Sequence, residues 1–393
     1  MSLLRRVVLA LAAVALCGAT GCAGFWVYPG TSTGSGGSTT GSTDNVYVAN
    51  ADLNTSVPTL SGFAVATGTL TAVTNSPYAL PFTPSAVTVN PADTLLFVGS
   101  SVNNSIYAYA INSDGSLTEL NNNSPVAAVI EAVTSMVVSP DGQWLLALDA
   151  TTTAVTIDEY QINLSSGALV LNQMTGASVP NTTNTAIIPT GIAIATAPSG
   201  EYVFTSLGTA GDMIFPFQTA TGVFPANPLQ LTLGSSNDAD NALAVNAAGT
   251  YLFIARSGPG GGTAVYSIGV DGALAEVTGS PFAAGTQPYS VVVNSAGTDV
   301  YVANRGDGTI SGYSIASSGA LTPLSGSPYQ SGNSVTALAV DNSGDYLLAA
   351  SNGGSPDLTM YSFDTTTVGK LDFATSIATG TDPTNPVAIA ATH

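Results

Sequence analysis

Hydrolytic chemistry needs a base, and bases are scarce in this chain of 393 residues. The single histidine is His393, the last residue of the sequence, where a frayed end is the expectation rather than a catalyst. The two cysteines, Cys17 and Cys22, both stand near the N-terminus. Lys and Arg together number 5 against 24 Asp and Glu, a formal net charge of −19. What remains for chemistry is a carboxylate working beside a guanidinium, with Asp149 as base and Arg256 as electrostatic partner. Asp238-Ala239-Asp240-Asn241 concentrates oxygen ligands of the kind calcium takes, without EF-hand spacing or its glycine, so Asp238 and Asp240 read first as a solvated acidic loop. Arg305-Gly306-Asp307 spells an adhesion tripeptide, but Asn-Arg-Gly-Asp-Gly is also a tight turn, and that is the reading adopted.

The first residues set the expected compartment. Arg5 and Arg6 precede an apolar run over residues 7–16, too short for a bilayer span, which needs roughly 20 apolar residues. Ala19-Thr20-Gly21-Cys22 resembles a bacterial lipobox, and cleavage there would leave Cys22 as a lipidated N-terminus. Residues 1–21 are therefore expected to be a signal peptide, and the protein to be exported and lipid-anchored to the cell envelope. Cys17 would leave with the signal and Cys22 would carry lipid, so no disulfide or thiol chemistry is expected. Residues 22–44 follow as a tether: 28–43 read YPGTSTGSGGSTTGST, a flexible coil reaching roughly 20–24 Å.

Charged residues make up 7% of the chain against roughly 25% in ordinary soluble domains. Beyond the signal the cations are Arg256, Arg305 and Lys370, which set against 24 acids give −21. Three cations cannot track a phosphate backbone, which excludes nucleic acid as a partner. The same arithmetic disfavours polyanions and peripheral binding to anionic lipid. Membrane attachment would have to be covalent.

The elements that must position any site come in repeats. A Gly-x-Leu/Phe element recurs at Gly68, Gly115, Gly167, Gly222, Gly272, Gly319 and Gly369, about 47–55 residues apart. An aromatic precedes each copy, from Phe63 and Tyr109 to Tyr361. An alternating apolar segment keeps the same register, as AVTV from Ala86, SVVV from Ser290 and AIAA from Ala388. Within 288–330 the pattern is four short strands separated by turn residues, with no 3.6-residue period. Such units repeated radially are blades, which predicts an all-β, seven-bladed propeller over 45–393. The body opens on NVYVAN, a second strand, and closes on PVAIAA, a first strand. The segment 387–391 should therefore complete the blade that 45–50 begins.

Ser139-Pro140-Asp141-Gly142, Tyr47-Val48-Ala49-Asn50 and Tyr301-Val302-Ala303-Asn304 resemble the motifs of lactonase-like seven-bladed propellers. That group includes 6-phosphogluconolactonase-type, carboxymuconate-cyclase-type and YVTN-repeat surface proteins, and the resemblance covers residues 45–391. It implies the propeller fold and, for the enzymatic members, an Arg-His pair where a blade begins. The matching positions here hold Ser85-Ala86 after Pro84, Thr190-Gly191 after Pro189 and Tyr289-Ser290 after Pro288. None of these is a cation or a histidine.

The residue closing each second strand should be equivalent in all blades, giving a ring of Asn50, Ser100, Asp149, Leu207, Arg256, Asn304 and Ser351. This ring reads either as a polar mouth for a small neutral or sugar-like ligand or as the polar lining of a solvated channel that holds none. Function is accordingly expected to be that of a surface scaffold binding a glycan, a protein or a small molecule, without a cofactor and as a monomer. The alternative is a lactone hydrolase of carbohydrate metabolism using Asp149 and Arg256.

Overall fold

A computed structural model describes residues 44–51, 57–128, 132–151, 154–179, 187–197, 200–225, 228–231, 237–270, 272–353, 356–380 and 386–393. The expected signal peptide, Cys22 and all but the last residue of the tether lie outside the described residues. Seven antiparallel sheets follow one another along the chain, and the one helical element among the described residues is a 3-10 turn, Asn121–Asn123. We number the sheets as blades 1 to 7 in chain order.

Blade 6 shows the unit. Pro288–Val293 is the inner strand, followed outward by Asp299–Asn304, Thr309–Ile315 and Leu321–Pro323. Every residue of Asp299–Asn304 is buried, because a blade is covered on both faces. Val300 and Val302 pack toward blade 5, while Tyr301 and Ala303 pack toward blade 7. Strand alternation thus serves two cores rather than one core and solvent. The repeated glycines all adopt left-handed backbone at the turn into the outer strand, with φ from 64 to 81°. At Gly115 a Cβ would strike the Asn45 side chain, and its carbonyl accepts the Tyr47 hydroxyl at 2.8 Å, latching blade 1 to blade 2. Tyr301 does the same to Gly369 at 2.6 Å, latching blade 6 to blade 7.

The Ser-Pro-Tyr/Phe segments serve the blade as well as the connection. Their Ser–Pro peptides are cis, and Ser76, Ser280 and Ser327 each accept a third-strand amide, from Gly62, Val265 and Gly312. Tyr78–Ala79 and Tyr329–Gln330 then add a short fifth strand to blades 1 and 6.

The ring closes where the two chain-end strands meet. Pro386–Ala391 is the inner strand of blade 1 and pairs with Asp44–Asn50, in the register Val46 to Ala391, Val48 to Ile389 and Asn50 to Pro386. Each inner strand contacts the inner strands of both neighbouring blades, all the way round. The expected frayed end at His393 is corrected here: its amide donates to Asp93 at 2.8 Å and its Nδ1 lies 3.2 Å from the same carboxylate. Thr392 donates to the Asn45 carbonyl at 2.9 Å just before it, so the last residues are extended and bound.

Candidate functional site

The seven inner strands surround a central channel of about 670 Å³. Where these strands begin, the mouth is lined by Ser85, Thr134, Thr190, Asn241, Tyr289 and Thr336. These occupy one register, the residue before or at the start of the alternating apolar segment. Four of them reach to the next blade's backbone. Ser85 donates to Val133 at 2.5 Å, Thr190 to Asp240 at 2.7 Å, Asn241 to Pro288 at 2.7 Å and Thr336 to Pro386 at 2.9 Å. The mouth is therefore girdled by hydrogen bonds that commit its donors to holding blades together.

The girdle is incomplete at blade 3, where Thr134 donates to Leu148 of its own blade at 3.4 Å, and at blade 1, where Val387 takes the position; blade 6 departs furthest. Tyr289 brings a ring instead of a short donor, and the Arg305 guanidinium lies over that ring at 4.7 Å from its centroid. Arg305 Nε faces Ser334 Oγ at 3.4 Å, and its backbone amide donates to Gln287 at 2.9 Å. Ser101 and Asn352 complete the same rim from blades 2 and 7. Among the described residues lining the channel there is no carboxylate side chain, and the one histidine, His393, is at the far end.

The structure places the ring expected from the sequence one residue away from this rim. Inner-strand pairing confirms the equivalence: Gly99 faces Ala86, Leu148 faces Ser135, Ala303 faces Ser290 and Ala350 faces Ala337. The next residue of each second strand is a ring member, and all seven members are buried. Asn304 uses Nδ2 on Thr309 and Ser311 at 3.0 and 2.9 Å, within its blade. Asn50 Oδ1 accepts from Thr379 of blade 7 at 3.1 Å, and Ser100 donates to Thr83 at 2.8 Å. Ser351 is 1% exposed, and Leu207 belongs to the core between blades 3 and 4. The channel instead sees the following positions, Ala51, Ser101, Arg305 and Asn352. Asn50, Ser100, Asn304 and Ser351 are the last residues of their strands and are still covered by neighbouring blades, whereas the next residue lies where the chain leaves the blade at the rim.

Asp149 and Arg256 are not brought together. Asp149 is 1% exposed on blade 3, diagonal across the strand pair from Asp158, and both raise the Tyr160 hydroxyl above its ordinary range after burial has done most of that work. Arg256 on blade 5 is held by Asp240, Nε to Oδ1 at 2.6 Å and Nη2 to Oδ2 at 2.8 Å. Burial alone would lower the guanidinium, but the hydrogen bonds and charge of Asp240 outweigh it and hold Arg256 above its ordinary value. Asp212 of blade 4 is buried beside this pair. Its carboxyl is pushed well up, first by burial and then by the charge and hydrogen bond of Asp240. Asp238 accepts the Gly260 amide at 2.8 Å. With both Asp240 oxygens on a cation, the two calcium candidates do not share a cation-binding arrangement.

Residues 247–388 match the family model described as lactonase, 7-bladed beta-propeller. The chain is a seven-bladed β-propeller, similar over those residues to the lactonase family. Solved structures carry the same fold over nearly the whole chain. A candidate 6-phosphogluconolactonase of Bacteroides uniformis aligns with a TM-score of 0.69 at 16% identity, covering 89% of this chain and 100% of its own. The Pseudomonas aeruginosa periplasmic gluconolactonase PpgL aligns at 0.68 and 17%, covering 89% and 99%. A candidate 6-phosphogluconolactonase of Bacteroides fragilis aligns at 0.68 and 18%, covering 91% and 100%. At such identities these likenesses carry the fold alone. No curated protein matches the sequence.

In this propeller Ser85, Thr190 and Tyr289, the positions that the resemblance set against an Arg-His pair, all line the channel. The rim cation comes from the turn after the second strand instead, as Arg305. Sequence reasoning assigned Arg305 to a turn; its signal was its place directly after ring member Asn304.

Proposed function

We propose that this propeller is an exported, lipid-anchored binding protein that takes a small polar ligand at the channel rim around Tyr289 and Arg305. The observation that carries the reading is the interruption of the girdle at blade 6. At four other positions the rim donor is spent on the neighbouring blade and at Thr134 on its own; at Tyr289 and Arg305 an aromatic face and a guanidinium stand at the channel instead. A concave site with few polar groups at fixed positions suits ligand recognition. Hydrolysis would need a general base near the same place, and the described channel lining offers none beside Arg305. The N-terminal sequence, with its lipobox-like Ala19-Thr20-Gly21-Cys22 ahead of a Gly/Ser/Thr-rich tether, supports attachment to the envelope through Cys22.

Calorimetric titration of the purified protein with monosaccharides and small organic acids tests this, using Ser101→Trp to fill the rim. Binding that Ser101→Trp abolishes, at an unchanged melting temperature, is the expected result. Binding that survives the filled rim would put the ligand elsewhere.

A further inference from the structure

Of the three cations among the described residues, two are already neutralised. Arg256 is buried against Asp240, and Lys370 lies 3.1 Å from Asp364 and 2.5 Å from Asp372. Arg305 has no carboxylate within ion-pair distance among the described residues, although acids outnumber bases 24 to 5 in the chain. A protein so rich in carboxylates has left its one rim cation without one. Tyr289 holds the guanidinium by its face, and Nε is turned toward Ser334 Oγ. That leaves the two Nη groups as an open fork, half-buried and preorganised by the ring beneath it.

We infer that the rim ligand is a small monocarboxylate, its carboxylate held by the Nη fork of Arg305 over Tyr289. This rests on the reading of the rim as the binding site and adds the chemical class. A planar fork matches a planar carboxylate with two parallel bonds, and charge assistance makes such bonds about twice as strong as neutral ones. The overall charge of −19 weighs against a multiply charged anion. The summed field of the acids repels each anionic charge, and a single fork offsets one of them, not two or three. A phosphate dianion gains little more from one guanidinium than a carboxylate does, and meets more repulsion. Around the fork, the half-exposed inner-strand positions are small, with Ser135, Gly191, Ala242 and Ser290 leaving room for the body of the acid.

The test is titration of the full chain with paired probes: galacturonate with galactose, glucuronate with glucose, and benzoate with benzamide, plus inorganic phosphate. At least one acid should bind ten-fold or more tighter than its uncharged partner. Arg305→Gln should erase that preference while leaving the partner's affinity within about two-fold, and Tyr289→Leu should reduce it without removing the charge. Raised salt should weaken the acid and leave the neutral partner unchanged. Equal binding of acid and partner, or tighter binding of phosphate, overturns the carboxylate assignment and leaves the rim site standing. Binding of none of the probes overturns both. Melting temperatures of the two variants, within a few degrees of the parent, guard against reading a folding defect as lost affinity.

Discussion

Arg256 closes on Asp240 through two hydrogen bonds of 2.6 and 2.8 Å, with the side chains 3% and 0% exposed. The pair bolts the inner strand of blade 5 to its second strand, beside Asp212 of blade 4. Removing one member leaves a buried charge without its counterion. Arg256→Met should cost about 3–5 kcal/mol, and adding Asp240→Leu to it should restore most of that. Urea denaturation of the single and double variants measures the difference. A single variant as stable as the parent would mean that the pair is replaced by other contacts.

Stability should fall as the pH rises from about 4 to about 7. Burial raises the Glu159 carboxyl to about 7 and that of Asp341 to about 6, against an ordinary value near 4. In that window the folded chain keeps protons that the unfolded chain has lost, so rising pH favours unfolding, by up to ~1.4 kcal/mol per pH unit for each group. Asp212, Asp299 and Asp44, all raised chiefly by burial, act in the same sense. Glu159→Gln removes one contribution and should gain on the parent between pH 5 and pH 8. Urea midpoints across that range check the sign, and a parent that stabilises steadily toward pH 8 would refute it.

The clasp between Pro386–Ala391 and Asp44–Asn50 should dominate the integrity of the ring. Its ladder bonds contribute about 0.5–1.5 kcal/mol each, and burying Ile389 adds roughly 1.5–3 kcal/mol. Several such contributions approach a domain's whole stability of about 5–15 kcal/mol. Deleting 386–393 should lower the melting temperature sharply, whereas deleting 28–43 should leave it within a degree or two. Scanning calorimetry of both deletions decides whether the clasp holds the ring.

Blade count, strand order and the clasp were legible in the sequence because each rests on local, repeated chemistry. Seven glycines need left-handed backbone at one turn, and period-2 alternation marks the strands around them. The register of Asn50, Asp149 and Asn304 was legible for the same reason. Which way those side chains face was not, since a blade buries both faces and hydrophobicity no longer distinguishes them. The bond from Arg256 to Asp240 crosses a strand pair with a bulge between Asp240 and Ala242, an irregularity that spacing does not reveal. Arg305 was hidden by its turn-like neighbours Gly306, Asp307 and Gly308. His393 was misjudged because its partner, Asp93, lies 300 residues away on blade 2.

The contrast between binding and hydrolysis is tested most directly by turnover of glucono-δ-lactone in a pH-stat, with the parent protein and Asp149→Asn side by side. Asp149 is buried on blade 3, and Arg256 is locked to Asp240 on blade 5, so the account predicts that both proteins match the buffer rate. Turnover above buffer that Asp149→Asn abolishes would contradict it and make the chain a lactonase.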